Sequence, residues 1–494
     1  MISRTRFIKV LLVLLLAASF IFQSAVESEA AQNVNMKIGV ADGVSSGRIM
    51  GEGLIFTDAN GRRGNVRNGA VVRVSGSGLS VGDAVLLMPV TATANSGLGW
   101  EGAGYRGRLM FIRASSGFTV VNELDLESYV RGVLSREMGA DWPHEALKAQ
   151  AILARTYAIK NRGRFSSRGY DLDAGQNSQL YGGVNAEDPR TDRAISETAG
   201  MILTWDGQPA DVFYHSDSGG ATADIAHVWG SARPYLQVRI EAVNYTSPNS
   251  TWQAALSPSQ VTSILSRMNQ NVGNVQSIGV ALVDDAGRAV QLTFTGDRGT
   301  ANVRAHDFRL AAGPRVIRST NLRVGRSGEA PSAGNPQPSA ALPPTPPAEP
   351  AQPANPATTE TAGSSDPDFI EMTRAGAFTR AELVEMIRHP ERREEYAAIA
   401  LERTRIHSDA PAPITPAAPM TIPAPVPAPV PERVSPPALP PIPQIGNPGD
   451  FVFVGRGWGH GVGLSQYGAR AMAENGMTYD AILAHYFPGT QINR

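Results

Sequence analysis

The chain has 494 residues and a formal net charge of −1, with 44 Lys and Arg against 45 Asp and Glu. That balance leaves no electrostatic footprint for a nucleic-acid partner, and the length suits two or three domains. There is no cysteine, which excludes disulfides, thiolate metal ligands, a cysteine nucleophile and a lipoprotein anchor.

At the N-terminus, Arg4, Arg6 and Lys9 precede the apolar run Val10–Phe22, and Ser28-Glu29-Ala30 offers small residues around a cut before Ala31. This is the layout of a secretory signal over 1–30, and it predicts export to the cell envelope. The rival reading is an uncleaved membrane anchor. The run is short for a span, which needs about 20 apolar residues.

Residues 33–120 read as a β-rich lobe. MKIGVA, AVVRVSG, AVLLMPV and RLMFIRAS are short, rich in Val, Ile and Leu, and separated by turn residues. No catalytic constellation appears there. A core of mixed α/β character is predicted over 121–325, which makes the class α+β.

The core opens on two helices. Leu126, Tyr129, Val130, Val133, Leu134 and Met138 have helical spacing with one face inward. Gly139 ends this helix. Asp141 is the expected cap of the next, Glu145–Asn161, with Pro143 in its first turn. Small residues on that helix (Ala151, Ala154, Ala158, with Leu147) invite close packing. Glu137 lies in the last turn of the first helix. There the dipole disfavours negative charge, and partial burial would raise its pKa, which suits a general acid. Most helix-end acids are simply solvated, and this stretch alone favours that blander reading.

Downstream, Gln179 and Tyr181 alternate with Leu180, so a strand would turn both to one face. They would either bind sugar hydroxyls or cover a core edge. Asp188–Ala199 is a predicted helix, and Met201–Trp205 and Ala210–Tyr214 predicted strands around an Asp206-Gly207 turn. His215, Asp217 and Ser218 follow. A hydrolase triad is rejected, because its members come from separate segments and no G-x-S-x-G elbow is present. Thr251–Arg323 reads as a small α/β piece, with Ser257 capping a helix to Met268.

Composition then shifts. Residues 326–450 form a long insertion, Pro- and Ala-rich over Pro331–Ser365 and Ala410–Pro448, as linkers are. Within it, 369–407 favours helix, with Thr379 and Glu382 as a capping box. Residues 451–494 close the chain. Glycines at 455, 457, 459, 461 and 463 alternate with Arg456, Trp458, His460 and Val462, which forbids an ordinary strand. Trp458 and His460 would either meet a sugar or pack in the core. Ser465 and Thr478 are predicted caps of two final helices.

Four stretches carry a resemblance. They are Leu126–Lys160 with its E-M, W-P, EALKAQA and ARTYA runs, SQLYGG at Ser178–Gly183, FYHSDSGG at Phe213–Gly220 with its following VWG, and GRGWGHGVGLSQYGA at Gly455–Ala469. In this order they closely resemble the stage II sporulation protein D and amidase-enhancer family. The resemblance implies a lytic transglycosylase that cuts peptidoglycan glycan strands, with Glu137 as its catalytic acid. It extends sugar contacts to Gln179, Tyr181, His215, Ser218, Trp458, His460 and Gln466. Lys148 and Arg155, seven apart on one helix face, would hold anionic groups or orient Glu137; a solvated basic face is the alternative. Asp125, Glu127, Glu145 and Asp217 are available as second acids. Some relatives hold zinc through cysteines, but Leu172 and Ser178 stand at those positions, so neither metal nor cofactor is expected. Glycan strands are the expected partner, with a cell-wall amidase as a second. The rival function is a non-catalytic, wall-binding enhancer of an N-acetylmuramoyl-L-alanine amidase.

Overall fold

The structure is a computed structural model, and it describes residues 34–241, 243–328 and 439–494. Residues 1–30, where a secretory signal is expected, most of the Pro/Ala-rich insertion and the segment 369–407 lie outside the described residues. What is described is α+β, as the composition of the segments predicts.

The N-terminal lobe is two antiparallel-rich sheets of six strands each, one of them extended to seven by Leu172–Asp173 from later in the chain, which pairs in parallel with Asn35–Val44. Strand Arg108–Arg113 shows why they stack. Its alternation sends Leu109 and Phe111 inward and leaves both terminal arginines outside. Trp100, Phe111 and Phe118 meet edge to face at 5.6 to 6.0 Å in the centre of that core, a geometry the ring quadrupoles favour. The lobe does not end at residue 120. Strand Phe118–Asp125 pairs with Asn35–Val44 and Arg108–Arg113 and then runs directly into helix α1, Leu126–Glu137. Asp125 caps α1 by accepting from the Ser128 N–H at 2.9 Å. The sheet is thus a rigid mount for the helix that carries Glu137.

Helix α2, His144–Lys160, is buried almost all round rather than on one face. Four helices surround it: α1, α3 (Pro189–Glu197) and two from the end of the chain. Its many alanines fit that position, since a helix packed on all sides needs small side chains. Asp141 does not cap it; extended Pro143 occupies the N-cap with no side-chain bond. Asp188 does cap α3, accepting from Arg190 N–H. A five-residue helix α4, Ile225–Trp229, follows. The predicted second strand Ala210–Tyr214 is reduced to Gln208–Pro209 and the pair Tyr214–His215. The pair is drawn away because it joins Leu464–Ser465 in parallel.

A second core gathers around Leu265, Leu292, Phe294 and Phe308, between α5 (Pro258–Arg267) and α6 (Ala305–Ala312). Helix α5 starts on a complete capping box of Ser257 and Gln260.

The last block returns into both cores. Phe451–Gly455, apolar and wholly buried, is the central strand between Trp252–Leu256 and Leu322–Arg326, as a continuous hydrophobic run suits a strand covered on both faces. Helices α7 (Gln466–Glu474) and α8 (Tyr479–Tyr486) then pack on α2. Ser465 caps α7, whereas Thr478 makes no side-chain cap bond.

Arg326 pairs with Phe451, and Gly328 N–H donates to Gln444 Oε1 at 2.8 Å. The chain therefore leaves and re-enters the fold at one hairpin end. Joining residue 328 to 439 by a short Gly/Ser turn shortens that connection roughly tenfold. The expected result is a folded chain about 2 kcal/mol more stable by urea unfolding. Loss of the cooperative transition would show that the excised residues support the fold.

Candidate active site

Glu137 is the last residue of α1 and is half-buried. Its Oε1 accepts the Leu180 backbone N–H at 2.8 Å. Its backbone carbonyl accepts from Gln466 Nε2 at 2.9 Å, so the C-terminal block holds the acid from one side and the 178–181 loop from the other. Burial pushes the Glu137 carboxyl above its ordinary pKa. The Leu180 N–H, the Tyr214 hydroxyl and the Arg136 charge oppose that push without cancelling it. Desolvation wins because two hydrogen bonds do not replace the hydration of an anion.

The Tyr214 hydroxyl is one link in a buried chain. Tyr129 OH donates to Gln179 Oε1 at 3.2 Å, and Gln179 Nε2 donates to Tyr214 OH at 3.1 Å. With both its lone-pair donor and its carboxylate partner fixed, Tyr214 has one way to point its proton. Tyr129 and Tyr214 titrate well above the usual phenol range because of burial, so they remain donors.

The other predicted contacts fall largely inside the protein. Gln179 lies in an extended loop rather than a strand, and at 1% exposure it faces the tyrosines, not a ligand. Tyr181 donates to Asn122 Oδ1 at 2.6 Å, and its ring leaves no room for a Cβ at Gly132, which would sit 2.4 Å away. Arg155 is fully buried. It makes a two-pronged pair with Glu127 at 2.7 and 2.9 Å and donates to the Met201 carbonyl. The shared face of Lys148 and Arg155 is therefore an inward one, and Arg155 cannot reach a substrate. Lys148 Nζ is paired with Glu145 and lies 4.8 Å from the Tyr479 ring centre.

Ser218 is buried and donates to Glu241 Oε2 at 2.6 Å. His215 is buried, with Nδ1 against the Val462 carbonyl at 3.2 Å. His460 Nδ1 accepts from Val462 N–H at 3.0 Å, and its ring also bonds the Tyr214 carbonyl. Burial and neighbouring cations push His460 down to about 3, so it is a neutral brace for the strand bearing Tyr214. Gln466 touches the Glu137 backbone and not its carboxyl. Trp458 remains half-buried at the surface, with the Arg318 guanidinium 5.1 Å from its ring centre.

None of the second acids is free. Asp125 caps α1, Glu127 holds Arg155, and Glu145 accepts the Tyr479 N–H at 2.8 Å. Asp217 is buried on Tyr245 OH, Ser247 OH and Gly219 N–H. Among the described residues no group of three or more His, Asp or Glu is placed to hold a metal ion. Sequence reasoning passed over Tyr214, although it stands beside His215 in a quoted motif. Strand alternation puts the two on opposite faces, and the Glu137 side is the tyrosine's.

This arrangement can deliver one proton to an acceptor beside Glu137 and take one back. The family model for stage II sporulation protein matches residues 114–205, which include α1, α2 and the 178–181 loop. An uncharacterised protein of Brachyspira hyodysenteriae is 32% identical over 228 residues, 45% of this chain and 60% of that one. The amidase enhancer of Bacillus subtilis is 23% identical over 369 residues, 74% of this chain and 40% of the enhancer. Stage II sporulation protein D of Bacillus subtilis is 35% identical over 132 residues, 24% of this chain and 38% of that protein. The matched parts thus span 38 to 60% of these relatives' lengths.

Proposed function

We propose that this chain, which belongs to the stage II sporulation protein D and amidase-enhancer family, is an exported lytic transglycosylase acting on peptidoglycan during cell-wall remodelling or sporulation. The observation that carries the reading is the Glu137 carboxyl, half-buried, raised in pKa and fixed from three sides. Export rests on the Arg4–Ala31 layout. Signal cleavage predicts a mature N-terminus at Ala31, which terminal sequencing reads directly.

In the reaction, protonated Glu137 donates to the glycosidic oxygen between N-acetylmuramic acid and N-acetylglucosamine as the C1–O bond breaks. The resulting carboxylate takes the proton of the C6 hydroxyl, whose oxygen attacks C1 and closes a 1,6-anhydro ring. The acid ends reprotonated and no water is consumed. Glycosidases ordinarily need two carboxyl groups. Here the nucleophile comes from the sugar itself, which agrees with the second acids all being engaged elsewhere.

The second reading is a non-catalytic enhancer of a wall amidase, favoured by likeness to the Bacillus subtilis amidase enhancer over 74% of this chain. The two part on one assay. Purified protein is incubated with glycan strands with and without peptide stems, and mass spectrometry looks for anhydro ends. The enzyme releases them; the enhancer leaves the strands whole.

Tyr214 supplies a subtler test. Its hydroxyl donates to the Glu137 carboxylate and so favours the ionised form. Tyr214→Phe removes that bond, and the Glu137 pKa rises further. The alkaline limb of the pH–rate profile is expected to move to higher pH. A limb that stays in place would mean that another group sets it.

A further inference from the structure

Three phenols stand close enough to Glu137 for its charge to act on each: Tyr129, Tyr157 and Tyr214. Two of them spend their protons inside the protein. Tyr129 donates to Gln179, and Tyr214 donates to Glu137 itself. Tyr157 differs. Its oxygen accepts from Arg164 Nη1 at 3.1 Å, and among the described residues no acceptor takes its proton. Arg164 Nη1 is in turn anchored on the Asn177 carbonyl at 3.0 Å, in the exposed loop that leads to Gln179 and Leu180. The ring of Tyr157 is buried to 8% exposure, which holds its axis still. Burial also outweighs the arginine and keeps the phenol protonated. A guanidinium on one lone pair and a fixed ring leave the O–H few directions, and among the described residues it finds no hydrogen-bond acceptor.

A buried donor without an acceptor is costly unless a ligand completes it. We propose that the Tyr157 hydroxyl, positioned by Arg164, is a glycan-binding donor that takes the carbonyl oxygen of an N-acetyl group on a sugar beside the scissile bond. This rests on the reading that a glycan strand lies against Glu137. An amide carbonyl is the strongest neutral acceptor that such a strand presents. A site built around that bond discriminates against a sugar lacking the group, because the phenol is then left unpaired.

The test is a two-by-two binding measurement in full-length protein. Every chain carries Glu137→Gln, so that no strand is consumed. Stem-free glycan oligosaccharides, N-acetylated or chemically de-N-acetylated, are titrated into proteins with Tyr157 or Tyr157→Phe. With Tyr157, acetylated strands are expected to bind roughly 3- to 10-fold tighter, the range of one neutral hydrogen bond. With Tyr157→Phe that preference should vanish. The amine charge exposed by deacetylation enters both rows and cancels in the difference. Arg164→Lys should keep part of the preference and Arg164→Met lose most of it, while a merely structural arginine would change overall affinity and leave the ratio intact. An equal preference in Tyr157 and Tyr157→Phe overturns the proposal, and so does the absence of any preference or binding with Tyr157 present. Anhydro ends are scored separately in chains that retain Glu137. Acetyl-selective binding without anhydro ends would refute the lytic reading and leave this subsite standing.

Discussion

Glu137→Gln is expected to cut the release of anhydro ends by about a hundred- to ten-thousand-fold, the usual worth of a positioned acid and base, while glycan binding persists. The substitution keeps an oxygen for the Leu180 N–H and keeps the shape of the side chain, so the loop at 178–181 has no reason to move. What disappears is the transferable proton. Because the wild-type carboxyl is raised by burial, activity should extend to pH above the ordinary carboxyl range and decline as the pH rises through the raised value. The residual activity of the variant should show no such limb. Stability should move the other way. A carboxyl raised in the folded state contributes stability that is fully present below the unfolded pKa, near 4.5, and is lost as pH rises through the folded one. At neutral pH the wild type therefore carries a cost the amide does not. Glu137→Gln is expected to melt higher at pH 7, with the gain shrinking on acidification. Unchanged turnover in the variant would end the enzyme reading and leave the wall-binding enhancer.

The parts of the fold that were legible from sequence are those decided by neighbours along the chain. The spacing of Leu126, Tyr129, Val130, Val133 and Leu134 set both the helix and its buried face. Ser257 and Ser465 were visible as caps because a cap is satisfied within three residues. Arg155 shows where such reasoning stops. Its periodicity correctly placed it on a face with Lys148, but periodicity cannot say what a face meets. With α1, α3, α7 and α8 all around α2, that face met protein. The same holds for Gln179, whose two ends bind tyrosines 50 residues before it and 35 after. Tyr157 was quoted within a motif, yet its unused proton became visible only once the partners of Tyr129 and Tyr214 were known. The site is thus legible as a list of residues and illegible as a network. Networks depend on separations that no local pattern records.

Glu241→Ala should be the most destabilising single substitution in the core, at about 3–6 kcal/mol, from two hydroxyls left unpaired plus a cavity. Glu241 is buried at 5% exposure. It accepts from Ser218 Oγ at 2.6 Å, Tyr245 OH at 2.7 Å and Tyr486 OH at 2.6 Å. Tyr245 keeps Asp217 Oδ1 at 2.9 Å when the acid is removed; Ser218 and Tyr486 are left without their acceptor. Packing around the carboxylate is tight enough that a Cβ on Gly468 would sit 2.2 Å from Glu241 Oε1 and from Tyr486 OH. Ser218 and Glu241 belong to the middle of the chain, whereas Tyr486 and Gly468 belong to the returning block. This one carboxyl therefore ties the two together, and a loss of this size is a large share of a typical total of about 5–15 kcal/mol. Glu241→Gln, which retains an acceptor oxygen, should cost only about 1 kcal/mol. Hydrogen exchange should show α7 and α8 losing protection first in Glu241→Ala. Because Gln466 at the start of α7 holds the Glu137 carbonyl, loosening these helices should also lower turnover without any change to the acid itself. A Glu241→Ala protein that unfolds in urea within 1 kcal/mol of wild type would show that the returning block is held mainly by its apolar contacts with α2.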